Sequence, residues 1–233
     1  MDSLVLGTTP SPVGDLTVAA RGSRVCLVHF GTPTARIRSS LAAWYPDARL
    51  QTGTDPAGAV SVFSGPPNGL ASERLLFQGT AGIPGTPETG DAFGAAVAPT
   101  DTNGIGQWDL AVGVPSESVG PDVQTGVVNL LAGSTTGPSG GTLVLQTNPE
   151  DFDAFGQAIA GGFFLHDFDN NGFFDLAVGA PIERVGSQQA AGAVSVFYAS
   201  GGGVLTPGQA FLQGSGGLGG TAEAFDFFGA ALE

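Results

Sequence analysis

The chain has 233 residues and a formal net charge of −14, with 7 arginines, no lysine and 21 acidic residues. An acidic surface repels phosphate backbones, which argues against nucleic-acid binding by the bulk of the chain. Because 39 glycines and 16 prolines accompany 16 phenylalanines and a mean hydropathy of +0.20, the composition predicts a turn-rich β protein rather than a disordered chain.

The first fifty residues differ from the rest in charge. They carry five arginines against three aspartates, whereas residues 51–233 carry two arginines against 18 acidic residues. Such a break predicts two segments, residues 1–50 and residues 54–233. No run of about eighteen apolar residues occurs, and the chain does not start with basic residues followed by a long apolar stretch. The sequence therefore predicts neither a membrane span nor a signal peptide.

The N-terminal segment predicts a small α+β unit. Residues 4–30 read as short strands around a Gly-Ser turn, and residues 35–45 have the apolar spacing of an amphipathic helix. This order is similar to the N-terminal lobe of O6-alkylguanine-DNA alkyltransferases over residues 4–48. The activity is not implied, because the Pro-Cys-His-Arg motif of that family does not occur in this sequence. Cys26 lies in an apolar stretch and is predicted to be a buried structural thiol.

After residue 50, three short segments recur at intervals of about sixty to seventy residues, in the range of a four-stranded repeat. The recurring segments are D-A-F-G at 91–94 and 153–156 with D-F-F-G at 226–229, D-L-A-V-G-V-P at 109–115 with D-L-A-V-G-A-P at 175–181, and G-A-V-S-V-F at 58–63 and 192–197 with G-V-V-N-L-L at 126–131. Their β-branched, small and aromatic residues predict strands.

The predicted fold class is mostly β: a partial β-propeller with two complete and two incomplete four-stranded blades, beside the α+β N-terminal segment. The predicted parts are a half blade over 58–79, complete blades over 91–146 and 153–214, and the first strand of a further blade over 226–233. In the best-preserved unit, strands are expected over Phe155–Ala160, Asp175–Gly179, Gly192–Ala199 and Gln209–Gln213. So few blades cannot close a ring, which predicts a fragment or self-association through open blade edges.

A candidate metal loop lies between the first and second strands of that unit, in the sequence D-F-D-N-N-G-F-F-D. Oxygen-bearing side chains fall at alternate positions, and Gly172 permits the sharp turn that follows them. The predicted ligands are the side chains of Asp167, Asp169, Asn171 and Asp175 with the backbone carbonyl of Phe173. Hard oxygen ligands on a flexible loop favour calcium over magnesium. The loop is not an EF-hand, because its twelfth position is Val178 rather than glutamate.

The preceding unit has a weaker version of the loop, from Asp101 to Asp109. Its candidate ligands are Asp101, Asn103 and Asp109, and Ile105 stands where the stronger loop has Asn171. The loss of one ligand predicts lower calcium affinity. The alternative interpretation of both loops is that they are Asx turns with solvated carboxylates.

A Phe-Gly pair, an Asp/Asn loop and a Gly-Ala-Pro tripeptide together resemble the FG-GAP repeat of integrin α-subunit propellers and bacterial surface proteins. The resemblance covers residues 54–233 and is clearest at Phe155-Gly156, the loop Asp167–Asp175 and Gly179-Ala180-Pro181. The resemblance implies a seven-bladed propeller outside the cell or at its surface, with calcium in its lower-face loops. The roles it implies are adhesion and the binding of proteins or sugars.

The resulting interpretation is a non-catalytic, calcium-binding scaffold for adhesion or for binding an unidentified protein or carbohydrate. Two alternatives stay open. One is an inactive remnant of a methylated-DNA–protein-cysteine methyltransferase fused to the repeats, and the other is the non-catalytic part of a carbohydrate-active enzyme. Neither His29 nor His166 has a spacing partner for zinc, and the absence of lysine excludes a phosphate-binding loop.

Overall fold

A computed structural model describes most of the chain after residue 56 and three strands before it. The described residues are 2–9, 16–21, 24–30, 57–65, 72–80, 82–162, 166–215 and 217–232, with side chains placed for 57–62, 74–80, 82–162, 166–215 and 217–232. The helix predicted over residues 35–45 lies outside this part.

Thirteen strands form three antiparallel sheets within the described residues. The strands are β1 (Asp2–Thr9), β2 (Leu16–Arg21), β3 (Arg24–Phe30), β4 (Val60–Gly65), β5 (Ser72–Leu76), β6 (Val97–Thr100), β7 (Asp109–Val114), β8 (Val127–Ala132), β9 (Ser139–Val144), β10 (Ala158–Ala160), β11 (Leu176–Ala180), β12 (Ala193–Ala199) and β13 (Leu205–Phe211). No helix occurs in the described residues, which confirms the mostly-β fold class.

The first sheet contains strands from both sides of residue 50, where the charge composition of the sequence changes. Its strand order is β3-β2-β1-β4-β5, and β1 pairs antiparallel with β4 from Asp2 opposite Gly65 to Gly7 opposite Val60. β4 therefore lies between β1 and β5, as β8 lies between β7 and β9 in the second sheet. β1 and β2 thus lie beside β4 where β7 and β6 lie beside β8 in the second sheet.

The second and third sheets each have four strands in chain order, β6-β7-β8-β9 and β10-β11-β12-β13. This up-and-down order is that of a propeller blade. Two predicted strand boundaries were wrong, and residues 226–232 form a turn with one isolated bridge rather than the predicted first strand of a further blade. β10 begins at Ala158, because the D-A-F-G segment forms a turn in which Ala154 and Gly156 have φ of 57° and 89°. β13 begins at Leu205, because an edge strand tolerates Pro207.

Apolar side chains fill the two spaces between successive sheets. Because side chains alternate across a strand, β7 turns Leu110 and Val112 toward the first sheet and Ala111 toward the third. Phe93 is buried in the first interface and Phe155 in the second. All six residues of β7 are buried, which explains its nearly continuous apolar sequence.

The recurring glycines allow backbones of successive units to touch. A Cβ on Gly113 would lie 2.0 Å from the carbonyl oxygen of Gly156, and a Cβ on Gly179 would lie 2.0 Å from that of Gly229. No side chain larger than hydrogen fits at that distance. The Phe155-Gly156 and Phe228-Gly229 turns therefore dock on Gly113 and Gly179, the glycines that precede Val-Pro and Ala-Pro in the unit before them.

Candidate metal centre

Two corresponding loops lie at the same end of the second and third sheets. The Asp101 loop (Asp101–Asp109) joins β6 to β7, and the Asp167 loop (Asp167–Asp175) follows β10 and precedes β11. In the Asp167 loop the backbone enters the left-handed region at Asn170 and Gly172, with φ of 59° and 91°. These two residues reverse the chain and turn the loop's oxygen atoms inward.

Three predicted ligands of the Asp167 loop converge. Asp167, Asp169 and Asp175 each offer a carboxylate oxygen, and these oxygens all lie within 4.8 Å of one another. The spacing is short enough for one cation to contact all three. Asp175 is buried, Asp167 is partly buried and Asp169 is exposed, so the group opens to solvent on one side.

Asp175 anchors the loop to its own blade. Its side chain is 0% exposed, and its two oxygens accept hydrogen bonds from the backbone N–H of Phe168 (2.7 Å) and of Ala199 (2.8 Å). Burial raises the pKa of Asp175, those two hydrogen bonds lower it, and the charges of Asp169 and Asp167 raise it. The other charged groups that act on this carboxylate are therefore negative, which favours a cation beside it.

Asp167 and Asn171 organise the turn. The two carboxylate oxygens of Asp167 accept from the backbone N–H of Asn171 and of Gly172, each at 2.9 Å. The side-chain Nδ2 of Asn171 donates to Asp169 (3.0 Å) and to the carbonyl of Ala199 (2.7 Å), and its Oδ1 accepts from the N–H of Phe173 (2.8 Å). The amide of Asn171 is thus placed at the edge of the carboxylate group. The carbonyl of Phe173 as a ligand stays a prediction.

The Asp101 loop repeats this scaffold. Asp109 is 2% exposed and accepts from the backbone N–H of Thr102 (3.1 Å) and of Gly133 (2.8 Å), as Asp175 does from Phe168 and Ala199. Asp101 accepts from the N–H of Gly106 at 2.9 Å, as Asp167 does from Gly172. In both loops the last carboxylate is buried, so the alternative interpretation of fully solvated carboxylates is wrong for Asp109 and Asp175.

The two loops differ in what faces the last carboxylate. In the Asp101 loop the Nδ2 of Asn103 lies 3.3 and 3.4 Å from the two oxygens of Asp109, and the hydroxyl of Thr102 donates to one of them at 2.6 Å. In the Asp167 loop the corresponding residues are Asp169 and Phe168. Neutral side-chain donors therefore add to the backbone hydrogen bonds of Asp109, whereas the carboxylates of Asp167 and Asp169 lie near Asp175.

Aromatic side chains connect the two loops. The ring of Phe173 lies over the α-carbon of Gly104, where a Cβ would approach it to 2.8 Å, and over that of Gly201, where a Cβ would approach it to 2.5 Å. The ring of Phe174 stacks on Trp108 with ring centres 6.0 Å apart. The Asp167 loop therefore touches the Asp101 loop of the neighbouring sheet.

Sequence reasoning missed two features of this region. It did not find Ala199 and Gly133, whose backbone N–H groups hold the last carboxylate; each stands at or directly after the end of the third strand. It also missed a second acidic group (Glu88, Asp91 and Glu117) outside both loops. The available signal was an E-x-x-D pattern that recurs at 88–91, 150–153 and 223–226.

Comparison with known proteins agrees with this architecture. The FG-GAP repeat family matches residues 164–197, which contain the Asp167 loop, β11 and most of β12. Together with the antiparallel four-stranded sheets, this match defines the class: FG-GAP repeats arranged as blades of a partial β-propeller.

The chain is similar to integrin alpha subunits. It is 32% identical to integrin alpha-3 of Cricetulus griseus over 162 residues, which are 67% of this chain and 13% of that protein. It is 34% identical to integrin alpha-5 of Xenopus laevis over 141 residues (59% and 12%), and 38% identical to integrin alpha-IIb of Homo sapiens over 111 residues (45% and 10%). The chain thus spans about an eighth of the length of the first of these relatives. The FG-GAP resemblance is confirmed, and the alkyltransferase resemblance of residues 4–48 stays a prediction.

Proposed function

We propose that this chain is a non-catalytic part of a propeller scaffold for adhesion or for binding a protein or carbohydrate, and that calcium at the Asp167 loop stabilises it. The observation that carries the proposal is the convergence of three carboxylates, Asp167, Asp169 and Asp175, within 4.8 Å. Their mutual repulsion disfavours this arrangement unless a cation compensates it.

The chemistry of the ligand set favours calcium. Every donor is an oxygen, the loop has one open side, and calcium accepts six to eight oxygens at about 2.3–2.6 Å in flexible geometry. Magnesium demands a near-ideal octahedron and retains several waters, which a loop rich in protein carboxylates suits less well. The Asp101 loop is proposed as the weaker site, because Asn103 already donates to Asp109 and Ile105 offers no side-chain oxygen.

Calcium at this position would act through folding. The Asp167 loop holds the end of β12 through Ala199 and contacts the neighbouring loop through Phe173, so an ion that fixes the loop also fixes the junction of two sheets. Binding that is restricted to the folded state adds about 2.7 kcal/mol to the free energy of unfolding when calcium is at 100 times its dissociation constant.

The adhesion role rests on the similarity to integrin alpha subunits. A place at the cell surface or outside the cell is proposed on the same ground. No helix in the described residues is long and apolar enough to cross a membrane. No contact in this part of the chain favours the methyltransferase remnant or the carbohydrate-active enzyme.

The proposal is tested by calorimetric titration of calcium-free protein with calcium, together with thermal melting in calcium and in chelator. Saturating binding is expected, and chelator should lower the melting temperature by several degrees. Asp167→Ala with Asp169→Ala should remove both effects, while Asp122→Ala with Glu223→Ala, which removes the same charge elsewhere, should leave them. Equal melting of the wild-type protein in calcium and in chelator would exclude the proposed role.

A further inference from the structure

Each of the two aspartate loops contains an Asn-Gly pair. These pairs are Asn103-Gly104 and Asn171-Gly172, and a third pair, at 68–69, lies outside the described residues. An Asn-Gly pair deamidates without an enzyme when the backbone nitrogen of the glycine attacks the side-chain amide carbon of the asparagine. Glycine has no Cβ, so the attacking residue carries no side chain that blocks the approach. The surroundings of the two pairs differ in the structure.

The attacking nitrogen is held in one pair and not in the other. The backbone N–H of Gly172 donates to a carboxylate oxygen of Asp167 at 2.9 Å, so this nitrogen is fixed toward Asp167. The backbone N–H of Gly104 has no acceptor among the described residues, and Gly104 is exposed. Attack by Gly172 must therefore first break a hydrogen bond to a charged group, whereas attack by Gly104 breaks none.

The leaving nitrogen differs in the same direction. The Nδ2 of Asn171 donates to Asp169 at 3.0 Å and to the carbonyl of Ala199 at 2.7 Å. The Nδ2 of Asn103 makes only the longer contacts to Asp109, at 3.3 and 3.4 Å. Both Oδ1 atoms accept from the backbone N–H two residues later, which polarises the two amide carbons alike. The hydrogen bonds therefore favour reaction at Asn103.

We infer that Asn103 is a spontaneous deamidation site of this chain, with water as the co-reactant, and that the fold protects Asn171. The bond between the nitrogen of Gly104 and Cγ of Asn103 forms, and the bond between Cγ and Nδ2 breaks. Ammonia leaves with the proton of the glycine nitrogen. Water then opens the succinimide ring: attack at Cγ gives aspartate, and attack at the backbone carbonyl carbon of residue 103 gives isoaspartate.

Either product changes the charge of the Asp101 loop. It removes the amide that faces the two oxygens of Asp109, a carboxylate that is 2% exposed, and it adds a negative charge to the loop. The aspartyl product also gives positions 101, 103 and 109 the three carboxylates that Asp167, Asp169 and Asp175 supply in the other loop. Deamidation therefore removes the main side-chain difference between the two loops.

The test follows deamidation of the full chain during incubation in chelator at mildly alkaline pH, so it does not depend on calcium binding. Chymotryptic cleavage after Trp108 separates Asn103 from Asn171, and fragmentation mass spectrometry measures the acid and amide forms of each. We expect Asn103 to react at least about tenfold faster, because hydrogen bonds hold both reacting groups of the other pair. In denaturant, which removes these contacts, the two rates should become similar. Equal rates in the folded protein, or a faster Asn171, would overturn the inference.

A variant of the protected loop tests the cause of the difference. Asp167→Ala removes the acceptor of the Gly172 N–H and should raise the rate at Asn171 toward that at Asn103. Asp122→Ala removes a carboxylate outside both loops and should leave both rates unchanged. A rate at Asn171 that stays low in Asp167→Ala would show that this hydrogen bond does not protect the pair.

Thermal melting in chelator measures the effect of the product. Asn103→Asp reproduces the aspartyl form and should lower the melting temperature by a few degrees, because a carboxylate replaces the amide that faces buried Asp109. Asn148→Asp adds the same charge at an exposed position and should have no such effect. Equal melting of the two variants would contradict the consequence assigned to deamidation at Asn103.

Discussion

The Asp101 loop and the Asp167 loop have the same backbone hydrogen bonds but differ in the side chains that surround their buried aspartate. Both bury a final aspartate, and both hold it with one N–H of the loop and one N–H at the end of the third strand. The Asp101 loop then places the amide of Asn103 and the hydroxyl of Thr102 on that carboxylate, whereas the Asp167 loop places Asp169 near it. The comparison teaches that the buried aspartate belongs to the fold, while the proposed cation binding depends on the residues around it.

Removing the buried aspartate should have the largest effect, and it should be severe in both loops. Asp175→Ala leaves two backbone N–H groups without an acceptor, each costing about 1–3 kcal/mol, so a loss of about 2–6 kcal/mol is expected in chelator. Asp109→Ala should cost at least as much. Urea unfolding measures both, with Asp169→Ala as the control on an exposed loop position. A large loss at Asp175 with none at Asp109 would break the comparison.

Truncating Phe173 should have the next largest effect, because its ring lies on Gly104 and Gly201 and connects the loops. For a half-buried ring we expect Phe173→Ala to lower the free energy of unfolding by about 2 kcal/mol. Phe168→Ala removes a more exposed ring from the same loop and should cost less than about 0.5 kcal/mol. Denaturant titration of both variants in calcium measures the difference. Equal losses would show that the ring does not couple the loops.

Exchanging the distinguishing residues should transfer the metal site. Asn103→Asp with Ile105→Asn gives the Asp101 loop the carboxylate and amide oxygens of the Asp167 loop. Calcium affinity at that loop should rise at least about tenfold, which is about 1.4 kcal/mol. Ile105→Leu is the matched control and should leave the affinity unchanged. The affinity is measured in the Asp167→Asn, Asp169→Asn background, and no gain there would mean that ligand identity does not explain the difference.

The smallest expected effect is on the pH dependence of stability, and it comes from Asp153 and Glu183 at the opposite end of the blades from the two aspartate loops. Burial, together with the charges of Glu150 and Asp151, raises the pKa of Asp153 to about 6, although a hydrogen bond with Glu183 lowers it. Burial and the charge of Asp153, with a smaller contribution from Glu150, raise the pKa of Glu183 to about 7. The folded state therefore binds more protons than the unfolded chain between about pH 4 and about pH 7. The contribution of this pair to stability falls as the pH rises through that window.

Glu183→Gln should accordingly flatten the pH dependence of the melting temperature in chelator, with the variant gaining relative to the wild-type protein toward about pH 8. Glu223→Gln, an exposed change in the following unit, should follow the wild-type curve. A wild-type advantage that grows with pH would show that the sign assigned to this pair is wrong.

The sequence was most informative where residue identity determines local backbone geometry. The recurrence of D-L-A-V-G and of G-A-V-S-V-F located the second and third strands of the unit, and the mostly-β fold class is confirmed, whereas the D-A-F-G segment forms a turn. The recurring oxygens of the Asp167 loop predicted which side chains lie together, because a tight turn brings alternate residues to one side. Boundaries were less predictable. Leu205 and Pro207 belong to an edge strand, although the Pro-Gly pair at 207–208 is typical of a turn. Only the fold shows that this strand has no neighbour on one side, so that no strand needs the backbone N–H that proline lacks.

Contacts between units were beyond reach of the sequence alone. The hydrogen bond from Gln78 to Glu117 joins residues that are 39 positions apart and follow strands of different sheets, and no local sequence pattern predicts it. The pairing of β1 with β4 likewise joins segments on either side of the charge break. Both depend on which sheets become neighbours. Only the recurring E-x-x-D pattern gave a hint of the first, since it repeats with the strands.

The most direct test of the account is a crystal structure of the chain grown with saturating calcium. We expect an ion at the Asp167 loop with oxygens of Asp167, Asp169 and Asp175 at about 2.3–2.6 Å, and weaker or no density at the Asp101 loop. A calcium-saturated crystal in which these three carboxylates point into solvent and hold no ion would contradict it.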